Sequence, residues 1–187
     1  MRIRVSEQGV ELPDGRIAPC AVGRGGVRGE KREGDGVTPA GVWPIRRVLY
    51  RPDRMAAPRT DLPVAPIGPQ DGWCDDPADP NYNEPVTLPY AASHEEMWRE
   101  DGLYDLVGVL GYNDDPPEAG RGSAIFVHVA RPDYSPTEGC VALALPDLLM
   151  LLEQAGPEAA LHIGSERAVL NGADPAIAAS EGSQPEE

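Results

Sequence analysis

Positively charged side chains are scarce in this chain. Its 187 residues include 16 Lys and Arg against 31 Asp and Glu, a formal net charge of −15. Such a charge repels nucleic acid phosphates and anionic membrane surfaces, so we expect neither as a partner. The few basic residues cluster early, between Arg24 and Arg32 and at Arg46, Arg47 and Arg51, which predicts one less acidic face.

Long apolar runs are also missing. No stretch approaches the roughly 18 apolar residues of a membrane span, and Pro146 and Asp147 interrupt the longest candidate, from Val141 to Leu152. The residues after Met1 begin with charges and contain no apolar core of a secretory signal. We therefore expect no membrane span, and the sequence alone does not predict export.

Cysteine is rare, and its spacing excludes a common class of metal site. Cys20, Cys74 and Cys140 form no Cys-x-x-Cys pair and have no paired histidines, so we expect no zinc, no other metal and no cofactor. A Cys20–Cys74 disulfide and two separately buried thiols both remain open. The glycine-rich stretch from Gly23 to Asp35 lacks the Gly-Lys-Ser/Thr of a phosphate loop, so it predicts a flexible edge loop.

Turn residues are abundant, with 21 Gly and 21 Pro. They indicate short strands joined by long loops, and the length suits one domain. We predict a mainly β fold with a few short helices, built as one domain over residues 1–165. An acidic segment, 166–187, is poor in apolar residues and is predicted to be a disordered tail.

Apolar patterns locate the strands, and two patterns predict helices. Ser93 followed by Glu96 is typical of a capping box and predicts a short helix that includes Met97 and Trp98. Pro146 suits the first turn of a second helix, which should end near Gly156. Strands are predicted at residues 2–5, 10–12, 17–22, 42–50, 103–111, 125–129 and 159–164.

One histidine and one cysteine form the strongest chemical pattern. His128 is the single polar residue in the apolar strand from Ile125 to Val129, and Cys140 follows a turn-rich loop directly after Gly139. An imidazole can accept the proton of a thiol, and the resulting thiolate is a strong nucleophile. Backbone without a Cβ at Gly139 lets a substrate carbonyl approach N–H groups that stabilise an oxyanion. The pattern indicates acyl transfer.

The same residues resemble the active-site signature of the YkuD-type L,D-transpeptidases. His128, a loop and then Thr137-Glu-Gly-Cys-Val match the histidine and the Ser/Thr-x-Gly-Cys-apolar motif of that family. A second stretch, from Gly34 to Trp43, reads Gly-Asp-Gly-Val-Thr-Pro-Ala-Gly-Val-Trp and is similar to the family's Gly-Asp-x-x-Thr-Pro-x-Gly. The resemblance extends from about Lys31 to Leu152 and looks closest to the short, single-domain proteobacterial branch. It implies a mixed β-sandwich with long loops.

Two features depart from the family pattern. Only eight residues separate His128 from Thr137, which predicts a shorter loop over the thiol and a different acceptor groove. Ala142 stands two places after the cysteine, where the family often has Arg or Asn.

The resemblance implies a cysteine L,D-transpeptidase that crosslinks peptidoglycan stem peptides containing meso-diaminopimelate and is inhibited by carbapenems. It implies a periplasmic location. Cys140 would attack the donor carbonyl, His128 would transfer the proton, and the backbone at Gly139 would hold the oxyanion. The shorter loop favours crosslinks from L-Ala, the first residue of one stem, to the third residue of another over third-to-third crosslinks.

Substrate-binding roles are predicted for six residues near this pair. Thr137 should brace the loop, and Arg131 is a candidate for binding a substrate carboxylate. Aromatic and amide side chains in loops commonly bind ligands, although they also cover core edges. On that basis we predict Trp73, Tyr82, Asn83 and Tyr112 as groove residues.

Two other functions fit the same residues. Water in place of an amine acceptor would make the protein a wall carboxypeptidase or endopeptidase, and residue types cannot separate these outcomes. NlpC-type cysteine peptidases place the cysteine before the histidine, the reverse of the order here. The third reading is a wall-peptide binding module without catalysis, in which Cys140 would be inert to thiol probes.

Overall fold

A computed structural model describes residues 1–164, so the segment 166–187 lies outside the described residues. Within them the fold is mainly β, with one α-helix, as the sequence predicts. The strands are β1 (Arg2–Ser6), β2 (Gly9–Glu11), β3 (Ile17–Ala18), β4 (Cys20–Ala21), β5 (Val27–Arg28), β6 (Thr38–Pro39), β7 (Gly41–Tyr50), β8 (Val64–Pro66), β9 (Asp71–Cys74), β10 (Pro85–Thr87), β11 (His94–Glu96), β12 (Leu106–Leu110), β13 (Phe126–Val129), β14 (Val141–Leu143) and β15 (Ala160–Ile163), with α1 (Leu145–Glu153) before the last.

A mixed ten-stranded sheet forms the centre of the fold. Its order is β3-β2-β1-β15-β7-β12-β13-β14-β4, and β8 also pairs with β7. β12 pairs antiparallel with β7 on one side and with β13 on the other, whereas β13 and β14 run parallel. All five residues of β12 are buried, because this central strand is covered on both faces.

The two faces of this sheet have different cover. One face packs on α1 through Leu148, Leu151 and Leu152, within the larger hydrophobic core. The other face is covered by a separate three-stranded sheet of order β10-β9-β11, and Trp73 and Phe126 belong to the smaller core between them. His128 and Cys140 belong to this second side.

The predicted capping-box helix is wrong. Residues His94–Glu96 form β11, which pairs antiparallel with β9, opposite Cys74, Trp73 and Gly72. Gly72–Cys74, predicted as loop, is part of strand β9. Local capping chemistry at Ser93 is worth about 1 kcal/mol, and the buried ladder outweighs it.

The second predicted helix is confirmed, although it ends three residues earlier than predicted. α1 begins with Pro146 in its first turn and ends at Glu153, before Gly156. Because β14 lies between Cys140 and α1, the thiol is not at the helix N-terminus, and the helix dipole does not support a thiolate there.

Candidate active site

His128 lies in the middle of the sheet and is almost fully buried. Its Nδ1 is 2.9 Å from the carbonyl oxygen of Val129, so Nδ1 carries the proton and Nε2 keeps a free lone pair. The side chain of Asp133, a sequence candidate for orienting the ring, instead accepts the N–H of Ser135. Burial lowers the pKa of His128 to about 4, so the imidazole is neutral at pH 7.

Cys140 is the residue that leads into β14, beside β13. Its Sγ accepts the N–H of Phe126 at 3.4 Å and donates to the carbonyl of Ala124 at 3.2 Å. The parallel register pairs Val127 with Val141 and His128 with Ala142. Because side chains alternate along a strand, Cys140 and His128 belong to one face of the β13–β14 pair, one pleat apart.

The Cys140 thiol is protonated in this state. Burial, with a smaller contribution from the Glu95 carboxylate, raises the pKa of Cys140 to about 12. The resting pair is therefore a neutral thiol and a neutral imidazole, not a thiolate–imidazolium ion pair. Proton transfer to His128 Nε2 would have to accompany attack on a substrate.

Thr137 and Gly139 shape the loop that carries the thiol. The hydroxyl of Thr137 donates to the Cys140 carbonyl at 2.7 Å and accepts the Gly139 N–H at 3.1 Å. Gly139 has a φ of +138°, and a Cβ there would lie 2.8 Å from the carbonyl oxygen of Val37. Only glycine fits this position without displacing the loop.

The Gly-Asp-x-x-Thr-Pro stretch packs against this loop and hydrogen-bonds to it through Thr38. Asp35 accepts the N–H of Val37 at 2.8 Å and forms an ion pair with the buried Lys31 at 3.0 Å. Thr38 donates to the Cys140 carbonyl at 3.4 Å and accepts the Gly23 N–H at 2.7 Å. These contacts explain how a motif about a hundred residues upstream belongs to the same site.

The glycine-rich segment before that motif is packed against the same loop. A Cβ at Gly23 would lie 3.0 Å from the Cα of Gly139, and the Arg24 N–H donates to the Thr137 carbonyl at 2.9 Å. The prediction of a flexible edge loop is therefore corrected. Contacts this close leave no room for a side chain at Gly23.

Tyr104 lies beside His128, and Glu95, which Tyr104 contacts, was missed by sequence analysis. The Tyr104 hydroxyl donates to Glu95 at 2.6 Å, and the rings of Tyr104 and His128 meet edge to face at 5.3 Å between centroids. Burial raises the pKa of Glu95. The incorrect helix prediction at Ser93 explains why Glu95 was missed. Strand β11, unlike the predicted helix, directs the Glu95 side chain toward Tyr104.

Trp73, Tyr82 and Asn83 are buried in one connected network. Trp73 Nε1 donates to the Asn83 side chain at 3.0 Å, and the Tyr82 hydroxyl donates to Glu33 at 2.5 Å. The same Asn83 oxygen accepts the N–H of Ala124, whose carbonyl contacts the thiol. These contacts link the loop to the Cys140 site, and direct substrate binding by these side chains stays a prediction.

Tyr112 and Arg131 were also predicted to bind substrate, but they lie outside the Trp73–Tyr82–Asn83 network. The Tyr112 hydroxyl donates to the carbonyl of Arg121 at 2.6 Å, and its ring packs edge-on against Trp43 in the larger core. Arg131 is exposed in the loop after β13. A role in substrate binding stays a prediction for both.

The described residues contain no group of His, Cys, Asp and Glu arranged to hold a metal ion. All three thiols are free, so Cys20 and Cys74 are not joined to each other. Cys20 Sγ contacts the carbonyl of Ser6 at 3.4 Å, and burial raises the pKa of Cys20 to about 11 and also raises the pKa of Cys74.

The raised pKa of Cys140 predicts how alkylation should depend on pH. Because the reactive thiolate is the minor form, the iodoacetamide reaction rate at Cys140 should rise about tenfold per pH unit between pH 7 and 9. Peptide mapping by mass spectrometry separates Cys140 from Cys20 and Cys74. A rate that is already constant from pH 6 upward would indicate a resting ion pair with His128 and contradict this account.

The sheet, the buried thiol–imidazole pair and the glycine turn define a candidate cysteine acyltransferase domain. The chain matches the family described as YkuD, L,D-transpeptidase catalytic domain, over residues 2–163. It therefore belongs to the YkuD family of L,D-transpeptidase catalytic domains, which act on peptidoglycan peptides and are typically extracytoplasmic. No curated protein and no solved structure gives a significant match.

Among the described residues, no helix has the length and apolar character needed to cross a membrane.

Proposed function

We propose that this protein is a cysteine L,D-transpeptidase that joins two peptidoglycan stem peptides through a thioester on Cys140. The observation that carries the proposal is the placement of Cys140 and His128 on one face of the β13–β14 pair. The thiol is held at a fixed position by Phe126 and Ala124, and the imidazole has a free Nε2. This constellation suits acyl transfer and does not require a metal.

In the proposed first half-reaction, Cys140 Sγ attacks the donor carbonyl while its proton moves to His128 Nε2. The C–N bond of the donor then breaks, and the imidazolium returns the proton to the leaving amine. The Cys140 amide would hold the oxyanion, since the Gly139 N–H donates to Thr137 in the resting state. Gly139 contributes by leaving space for the carbonyl.

In the second half-reaction, an amine acceptor attacks the thioester and restores the thiol. The neutral imidazole can take the proton of the attacking amine, because burial keeps the pKa of His128 low. We propose meso-diaminopimelate stems as donors and a periplasmic location. We favour L-Ala-to-third-residue crosslinks, on the strength of the short loop between His128 and Thr137.

Hydrolysis is the alternative that the same geometry permits. If water reaches the thioester faster than an amine, the protein is an L,D-carboxypeptidase or endopeptidase. The deep burial of Cys140 favours transfer, because water excluded from the thiol cannot compete with a bound acceptor.

The test is product analysis with purified protein and meso-diaminopimelate muropeptides, using tandem mass spectrometry to locate the new bond. Crosslinked dimers that form with the wild type and are absent with Cys140→Ala would establish the transferase. Shortened monomers alone would make it a hydrolase. Unchanged substrate would leave a binding module, and third-to-third links alone would overturn the preferred linkage.

A further inference from the structure

A cavity of about 210 Å³ opens between β7 of the large sheet and the small three-stranded sheet. Its walls combine polar groups with the apolar residues Ile67, Trp73, Val86 and Met97, and Arg47 is the positively charged side chain among them. A cavity of this size accommodates one amino acid side chain or a small group.

The half-buried Arg47 side chain has one guanidinium nitrogen without a hydrogen-bond partner. Its Nε is buried and has no partner, and its Cζ lies 5.6 Å from the centre of the Trp73 ring. No ion pair within residues 1–164 includes Arg47. A buried donor without an acceptor is costly, so a ligand that supplies an acceptor to Nε would bind favourably.

The acidic residue in the cavity wall, Asp71, already has a hydrogen-bond partner. Asp71 accepts the N–H of Gly68 at 2.8 Å, closing the turn before β9. Arg46, the preceding residue on β7, forms an ion pair with Asp114 at 2.7 Å.

Strand register connects this cavity to the thiol. Arg47 pairs with Val109, and Val109 pairs with Phe126, so the three residues form one row across β7, β12 and β13. Neighbouring strands lie about 4.8 Å apart, which places the Arg47 Cα roughly 10 Å from that of Phe126. The Phe126 N–H contacts Cys140 Sγ, and the Trp73 ring bridges the row, 5.0 Å from the Phe126 ring.

We propose that this cavity is a carboxylate subsite in which Arg47 binds the side-chain carboxylate of the donor's diamino acid. The residue's main-chain carbonyl would then face Cys140. The reach of an extended four-carbon side chain suits the distance between the cavity and the thiol. The assignment rests on the proposed function, because it takes the stem peptide as the substrate.

The test compares two tetrapeptide muropeptides that differ only in whether the side-chain carboxylate of diaminopimelate is free or amidated. Binding is measured by calorimetry in the Cys140→Ala protein, where no turnover occurs. Arg47→Met should weaken binding of the free acid about 10- to 100-fold and leave the weaker binding of the amide unchanged. Arg47→Lys should retain part of the preference for the free acid.

Arg46→Met is the matched control, since it removes a neighbouring charge that is paired with Asp114 and does not line the cavity, and it should change neither affinity. Arg47→Met should not lower Tm, because it removes an unpartnered buried donor. Equal weakening of both peptides, or none, would overturn the assignment.

The outcomes also separate the subsite from the transferase. Binding that depends on Arg47, without any product from the wild type, would retain the subsite and reject the transferase. Product formation with no discrimination between free acid and amide would retain the transferase and reject the subsite. Failure of both peptides to bind would also reject the subsite.

Discussion

Replacing His128 by asparagine should lower the rate of crosslink formation about 10²- to 10⁴-fold, the usual contribution of a general base. The asparagine amide can still donate to the Val129 carbonyl, as Nδ1 does, but nothing replaces the lone pair of Nε2. We therefore expect the effect in kcat, with KM for the donor little changed. The measurement is steady-state product formation by mass spectrometry, with Tm recorded to confirm folding.

His94→Asn is the matched control for this substitution. His94 also has its Nδ1 against a carbonyl, that of Ala92 at 2.8 Å, but it belongs to β11. It should retain wild-type rates. A His128→Asn protein within threefold of the wild type would remove the imidazole from the mechanism.

Gly139→Ala should reduce both stability and activity. The backbone has a φ of +138°, which costs an L-residue about 1–3 kcal/mol, and the new Cβ would collide with the Val37 carbonyl at 2.8 Å. Relief of that collision displaces Cys140, and a shift of about 1 Å in a catalytic group can cost 10²-fold in rate. Urea denaturation and product formation measure the two effects.

Gly120→Ala separates the collision from the backbone strain. Gly120 has a φ of +79°, but a Cβ there would have nothing within 4 Å. This variant should lose a little stability and no activity. If Gly139→Ala behaves like Gly120→Ala in both measurements, the close packing of Val37 under the thiol loop has no functional consequence.

The strand that carries His128 and the turn before Cys140 could be predicted because their signals are local, whereas strand β14 was not predicted. An apolar run with one polar residue identifies β13, and a glycine before a thiol identifies the turn. The resemblance of two separated motifs to one family predicted that they lie together, and the contact of Thr38 with the Cys140 carbonyl agrees. Family membership is confirmed over residues 2–163.

Other parts of the site depend on which strands become neighbours, and a single sequence does not contain that information. The Ser93–Glu96 pattern predicted a helix, but pairing with β9 made it a strand and turned Glu95 toward Tyr104. Arg47 looked like one of several early basic residues. Its burial in a cavity follows from the row with Val109 and Phe126 across three strands.

The domain limit at residue 165 and the roles of the six predicted substrate-binding residues remain predictions. The internal hydrogen bonds of Asn83 illustrate why such roles are hard to read from residue type. Its side chain donates to the carbonyls of Tyr112 and Asn113 and accepts from Trp73 and Ala124. An amide that can bind a substrate can equally hold a loop in place.

The most direct test of the central claim is detection of the thioester itself. Acid quenching of the wild type during reaction with a tetrapeptide donor, followed by intact and peptide mass analysis, should show the acyl group on the peptide that contains Cys140. The mass should equal the donor minus its leaving amino acid, and addition of an acceptor amine should remove it. Crosslinked product without any adduct on Cys140, or an equal yield from Cys140→Ala, would contradict the account.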